Sequence, residues 1–286
     1  MFFCFDPSAL HVTLRPEEAV ELASNLGFAA VSLEQKAVCA RNKAERAALQ
    51  EALRAKKLLS GPWSVPLEWR KDEPTFQAGL VELKGIVKIM AEFGPSAATT
   101  WIAPFSSDLD WNANLKLHVK RLRQIAEVLQ AAGVSLGLEF LGTRTLRQGF
   151  RFEFVHSVRG LATLCQKLGA PNVGMVLDLW SAYASGQGPV DLETLEGVPI
   201  TLVQIGDTPE GATASTLDEA DRYLPGTSDT VENARVLAEL AERGYQGPVA
   251  VEAYAGEVER MTPPEKAKAA LAALWNALKT PVPTAE

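Results

Sequence analysis

Short apolar runs alternate with longer segments of helical periodicity from one end of the chain to the other. Residues 2–5 form the first run, and 29–33, 58–65 and 97–103 the next three, the third broken by Gly61 and Pro62. The fifth to eighth are Val-Ser-Leu-Gly-Leu before Glu139, Val-Gly-Met-Val-Leu before Asp178, Thr-Leu-Val before Gln204 and Pro-Val-Ala-Val before Glu252. Runs of a few residues bounded by turn formers read as buried strands. Between them the spacing predicts helices. One starts at Pro16, carries Glu17 and Glu18 in its first turn and stops at Gly27. The others cover 41–57, 75–93, 112–132, 155–168, 230–243 and 262–278. Proline and acids suit a helix start, where N–H groups lack partners, and glycine suits the left-handed end. The segment 206–228, rich in Gly, Pro, Asp and Thr, predicts a long loop, and 280–286 a flexible tail.

Eight strand–helix units predict a single (β/α)8 TIM barrel over residues 1–279. A doubly wound sheet would want a Gly-x-Gly-x-x-Gly turn after its first strand, and there is none. With 286 residues, 47% of them apolar and 22% charged, the chain can build a full core. A net charge of −7 argues against a nucleic-acid partner, which needs a basic face. Three cysteines without a Cys-x-x-Cys pair suit the reduced thiols of a cytoplasmic protein. The first residues lack the basic segment of a secretory signal. No apolar stretch reaches the roughly 18 residues a membrane span requires, so a membrane partner is not expected. A homo-oligomer stays open.

In a barrel all strand ends converge on one mouth, so Glu139, Asp178, Gln204 and Glu252 would meet there. Buried acids without partners are costly, and the economical compensation is one divalent cation held by oxygen ligands. An oxygen donor set favours Mn²⁺ or Mg²⁺, with Co²⁺ or Zn²⁺ as further options. Simpler partners compete for each residue. Glu139 could pair with Arg144 or Arg147, Asp178 could cap the segment after it, and Gln204 could be satisfied by backbone. Glu252 could pair with Arg222, which could itself bind Asp218 or Asp221 in a solvated loop. Trp101 could stack on a sugar face or fill the mouth, and His156 could contact substrate or merely cap the fifth helix. Trp63, Glu68 and Trp69 are candidate pocket walls. Four side chains turned apart, or an arginine in their midst, would count against the cation.

Together these segments resemble the xylose-isomerase-like TIM barrels, often called sugar phosphate isomerases/epimerases. The likeness rests on Leu-Gly-Leu-Glu139-Phe, Gly-Met-Val-Leu-Asp178, Leu-Val-Gln204-Ile-Gly-Asp and Val-Ala-Val-Glu252-Ala-Tyr, with Thr100-Trp101-Ile-Ala-Pro104 and Asp221-Arg222-Tyr-Leu-Pro225-Gly226 in support. It implies metal ligation by the four residues and a substrate-reaching role for Arg222. It also implies proton transfer by Glu139 and Glu252 on a sugar or keto-acid through a metal-stabilised enediolate, giving isomerisation or epimerisation. Two positions depart from the family pattern: Gln204 stands where histidine is usual, and Ser181 where Asp-x-x-His would place a substrate-contacting histidine. The same chemistry with loss of a leaving group would make a lyase or dehydratase on a keto-sugar or keto-glycoside. A barrel stripped of activity would leave a sugar-binding module. The endonuclease branch of the fold needs a histidine-rich zinc cluster, which three scattered histidines do not supply. No glycine cradle or lysine cluster marks a phosphate site at the seventh and eighth strand ends.

Overall fold

The computed structural model describes residues 1–279; the tail expected at 280–286 lies outside the described residues. Its barrel strands are β1 (Phe2–Phe5), β2 (Ala30–Val31), β3 in two halves (Leu59–Ser60 and Trp63–Ser64), β4 (Ala97–Ile102), β5 (Ser135–Phe140), β6 (Val173–Asp178), β7 (Ile200–Ile205) and β8 (Pro248–Val251), with Phe105–Ser106 and Phe152–Glu153 forming a separate antiparallel pair. Every pairing among the barrel strands is parallel. The order runs from the first half of β3 through β2, β1, β8, β7, β6, β5 and β4 to the second half of β3. A sheet that begins and ends on the same strand is a closed ring. The chain is a single TIM barrel.

The break in β3 is where the ring changes neighbours. Gly61 N still donates to Val31 O at 2.8 Å, but Pro62 has no N–H to continue the ladder. A Cβ on Gly61 would stand 2.6 Å from Cys4 Sγ and 2.7 Å from Ser32 Oγ, so only glycine lets the backbone come this close.

Helices α1 (Pro16–Leu26), α2 (Lys43–Ala55), α3 (Glu73–Ala91), α4 (Trp111–Gln130), α5 (Val158–Leu168), α6 (Leu179–Ala184), α7 (Asn233–Glu242) and α8 (Pro263–Lys279) ring the strands. Their ends follow from side-chain chemistry. Asn42 and Glu45 form a reciprocal capping box at the start of α2, and Asp72, Asp110 and Ser157 cap α3, α4 and α5. Gly27 and Gly169 close α1 and α5 in the left-handed conformation. The sequence pattern gave no helix between the sixth and seventh strands; α6 fills part of that connection with six residues. Its brevity leaves too little periodicity to read. Among the described residues no helix is long and apolar enough to cross a membrane.

Side chains alternate across each strand. Outward-facing Phe3, Val31, Leu177, Val203 and Val249 join the helices in the main core. Inward-facing Cys4, Ala30, Val176, Leu202 and Ala250 form a separate small layer inside the ring. The interior is narrow: a Cβ on Gly137 would come within 2.5 Å of Thr201 Oγ1. Two residues further along each strand, the same alternation turns Asp6, Ser32, Asp178, Gln204 and Glu252 inward at the C-terminal end. Glu139 follows Gly137 by the same step, and Trp101 is its register partner on β4, as Asp178 is for Gln204 on β7.

Candidate active site

Strand register brings the acids together. Glu139, Asp178 and Glu252 each place a carboxylate oxygen within 4.8 Å of the others. Gln204 stands beside Asp178 in register, buried, with its Oε1 lacking any hydrogen-bond partner. The three acids therefore meet, with Gln204 as the register neighbour of Asp178.

Arg222 enters this cluster from the loop after β7. Its guanidinium is 1% exposed and lies 4.2 Å from the Trp180 ring centroid. Nη1 donates to Asp178 Oδ2 at 2.6 Å and stands 3.1 Å from Glu252 Oε2, out of hydrogen-bonding line with it. Nη2 donates to Glu219 Oε2 at 2.9 Å and to Ser181 Oγ at 3.1 Å. This corrects the solvated pairing with Asp218 or Asp221. It also puts a buried arginine against two of the four residues, Asp178 and Glu252, the arrangement that counts against the cation, although no ion pair joins it to Glu139 among the described residues. Asp178 also caps α6, its Oδ1 accepting from Trp180 N at 2.9 Å. Arg147 turns to Gly142 O and Glu153 instead of Glu139.

The loop that delivers Arg222 is tightly tied. Asp207 is fully buried and accepts from the backbone N–H of Gly226, Ser228, Asp229 and Thr208 and from Ser228 Oγ. Asp207 and Tyr223 exchange backbone hydrogen bonds of 2.8 and 2.9 Å. Trp180 Nε1 donates to Asp221 O, Tyr254 O–H to Glu219 O and Thr143 Oγ1 to Glu219 Oε1.

Charge is crowded here. Burial, then the nearby charges of Glu252 and Asp178, hold the Glu139 carboxyl well above the ordinary carboxylate range, against the pull of Arg222. Burial also pushes Glu252 up to about 7; Arg222 opposes this, while Asp178, Glu219 and Asp6 add to it. Burial works against the charge on Arg222, but Asp178, Glu252 and Glu219 together raise it well above its usual value.

These residues suit a divalent cation. Three carboxyl groups (Asp178, Glu219 and Glu252) share one guanidinium and Glu139 lies beside two of them, so positive charge is short. Gln204 Oε1 and Glu252 Oε2 are buried acceptors without hydrogen bonds. Two oxygens on one small cation at about 2.1 Å lie at most about 4.2 Å apart. The carboxylates need only a slight approach.

The other expected residues lie around the rim. Trp101 is 45% exposed, and the Arg70 guanidinium covers its ring at 3.8 Å. Trp69 is buried and donates to Thr100 Oγ1. His156 precedes the cap of α5 and holds its Nδ1 against Phe154 O at 2.7 Å, with Glu153 nearby; no described contact joins it to the carboxylates. A cavity of about 420 Å³ opens on the β1–β3 side, lined by Asp6, His11, Ser32, Glu34, Trp63 and Ser64 among others, with no lysine or arginine. Asp6 connects the two regions, lining the cavity while its charge raises Glu252.

Sequence reasoning missed Asp6, Glu219, Ser181 as an arginine partner, and Arg70. The strand alternation itself would have found Asp6, two residues beyond Cys4. Glu219 stands among Asp218 and Asp221 in a polar loop, and nothing local marks which acid turns inward.

Known proteins share this architecture. The description "xylose isomerase-like TIM barrel" matches residues 20–277. The chain belongs to that family. Within it, an inosose isomerase of Halalkalibacterium halodurans is 30% identical over 166 residues, 54% of each chain, so the match spans about half the length of that relative. A solved xylose isomerase domain protein from Alicyclobacillus acidocaldarius is 27% identical, with 97% of this xylose-isomerase-like chain and 98% of that one covered at a TM-score of 0.83. The IOLI protein, solved with a bound zinc atom, shares the fold at a TM-score of 0.80 and 19% identity, over 97% and 98% of the chains.

Proposed function

We propose that this xylose-isomerase-like barrel is a divalent-cation-dependent isomerase or epimerase of a sugar or other α-hydroxy-carbonyl compound. The observation that carries the reading is the meeting of Glu139, Asp178 and Glu252 within 4.8 Å, beside a glutamine oxygen left without a partner. Glu139, Asp178, Gln204 and Glu252 would hold the cation. When bound, it would supply positive charge against the oxyanion that develops as a proton leaves the adjacent carbon. Glu139 and Glu252 are the acid–base pair in this reading. Burial raises the proton affinity of both carboxyls in the metal-free protein, which supports proton exchange at this pair. Arg222 binds substrate oxygen from the β7 loop, Trp101 offers a sugar-stacking face at the rim, and His156 flanks the substrate.

The cavity on the β1–β3 side has no lysine or arginine in its lining, which supports a substrate without phosphate. Mn²⁺ and Mg²⁺ fit the oxygen donors, and zinc belongs in the same trial because a fold neighbour was solved with it. The test is a screen of ketoses, inososes, keto-acids and 3-keto-glycosides with each cation, following deuterium uptake from solvent. Exchange that the Glu139→Gln and Glu252→Gln variants lose supports the reading. Exchange retained by both removes the acid–base assignment. Product analysis in the same screen separates isomer or epimer from a lyase product, and a barrel that binds sugar without exchange is a binding module.

A further inference from the structure

The two edges of the Arg222 guanidinium rest on different kinds of partner. Nη2 is held by Glu219 Oε2 and Ser181 Oγ, neither of them among the strand-end ligand set. Nη1 is held by Asp178 Oδ2 and faces Glu252 Oε2, both within that set. The backbone beneath is pinned: Arg222 O accepts from Tyr254 N at 3.0 Å and Ala255 N at 2.9 Å, and Asp207 and Tyr223 pair immediately after it. Any adjustment of the guanidinium is thus a side-chain movement. Its Nε is buried and has no hydrogen-bond partner, so the side chain is not fully committed where it stands.

We infer that Arg222 is a resident counter-cation that competes with the divalent cation for Asp178 and Glu252. This inference rests on the proposed metal-dependent function. With the site free of metal, Nη1 supplies the charge that keeps two buried acids tolerable. A cation held by Asp178 and Glu252 would compete for those carboxylates and repel the guanidinium, so Nη1 would be released while Glu219 and Ser181 keep Nη2. Ser181 is in this account a positioning residue: its neutral hydroxyl accepts from the guanidinium without repelling it. Glu219 and Ser181 together keep the displaced arginine at the rim of the site.

The sign of the effect separates this role from a purely structural one. If Arg222 only braces the acids, its removal loosens the ligand geometry and weakens metal binding. If it competes, its removal tightens binding, because the incoming ion neither breaks an ion pair nor meets a like charge. The test is calorimetric titration of the full-length chain with Mn²⁺ alone, comparing wild type, Arg222→Met and Arg222→Lys. The expected result is a Kd for Arg222→Met at least about tenfold lower than wild type. Arg222→Lys should fall between them, since one ammonium cannot grip both partner sets as the planar fork does. A Kd equal to or weaker than wild type in Arg222→Met overturns the inference while leaving the proposed function in place. No binding of Mn²⁺, Mg²⁺ or Zn²⁺ to either wild type or Arg222→Met overturns both.

A second measurement does without Arg222→Met, should that variant fail to fold. The ¹⁵N guanidinium signals of Arg222, assigned by their absence in Arg222→Lys, should shift on saturation with diamagnetic Mg²⁺ or Zn²⁺. Unchanged signals at saturation overturn the inference.

Discussion

Ser228 Oγ donates to Asp207 Oδ1 at 2.6 Å, tying the far end of the long β7–α7 loop back to its first residues. Three backbone N–H groups from the same far end converge on Asp207 Oδ2, at 2.9 to 3.1 Å. Asp207→Ala leaves these part-buried donors without their acceptor, a loss of about 1–3 kcal/mol by the usual cost of such groups. Denaturant melts should register that loss, and hydrogen exchange should locate it in 206–229. A variant whose stability matches wild type would show that the loop is held by other means.

Glu139→Gln and Glu252→Gln test the proton transfer separately from the fold. Removing a positioned general acid or base costs about 10²- to 10⁴-fold in rate. Glu139 is already held towards its neutral form, so the isosteric amide should leave the metal-free melting temperature unchanged or higher. Deuterium exchange and thermal melting on one preparation check both halves. Exchange lost together with the fold would mean the glutamate is structural.

The direction of the pH dependence is set by Glu252, a carboxyl raised from 4.5 to about 7 chiefly by burial. Above about pH 4.5 the unfolded chain releases a proton that the folded protein keeps. Metal-free stability should therefore fall as pH rises from about 4.5 to about 7, and level off beyond. Bound Mn²⁺ favours the ionised carboxylate and should flatten or reverse that trend. The measurement is the difference in melting temperature between wild type and Glu252→Gln across this range, in chelator and in Mn²⁺. A difference that grows in favour of wild type as pH rises in chelator would contradict it.

Gln204 Oε1 is a buried acceptor without a partner. Gln204→Met removes that unmet demand while conserving shape, so metal-free stability should rise by about 1 kcal/mol. Mn²⁺ affinity should fall at least about tenfold if the amide oxygen is a ligand. Unaltered affinity in calorimetry would strike Gln204 from the ligand set.

Trp101 is half-exposed at the mouth, in register with Glu139. Trp101→Ala should raise KM about tenfold for a stacking sugar while shifting stability by less than about 1 kcal/mol. A melting temperature that drops steeply with KM unchanged would make it a packing residue.

Much of the fold was legible because its signals are local. Apolar runs ending in acids, the Gly61–Pro62 break and the glycine stops at Gly27 and Gly169 all report on neighbours within a few residues. The meeting of Glu139, Asp178 and Glu252 followed from barrel geometry, since strands of equal phase must bring their ends together. What did not show was the filling of the mouth by its loops. Asp178 and Arg222 are 44 positions apart, and Thr143 and Glu219 are 76 apart. Their pairing is decided by how a structureless segment folds back, which no periodicity records. The clash that any side chain on Gly142 would make with the Ser181 carbonyl belongs to the same class: it reads as an ordinary turn glycine until α6 is laid against it.

The interrupted third strand gives the molecule a soft side and a firm one. Its two halves hold the ring with two residues each, whereas β4 to β7 run six residues apiece and carry the charged cluster with β8. Thermal breathing should start at that seam, across the ring from the carboxylate cluster and beside the cavity that Asp6, His11 and Glu34 line.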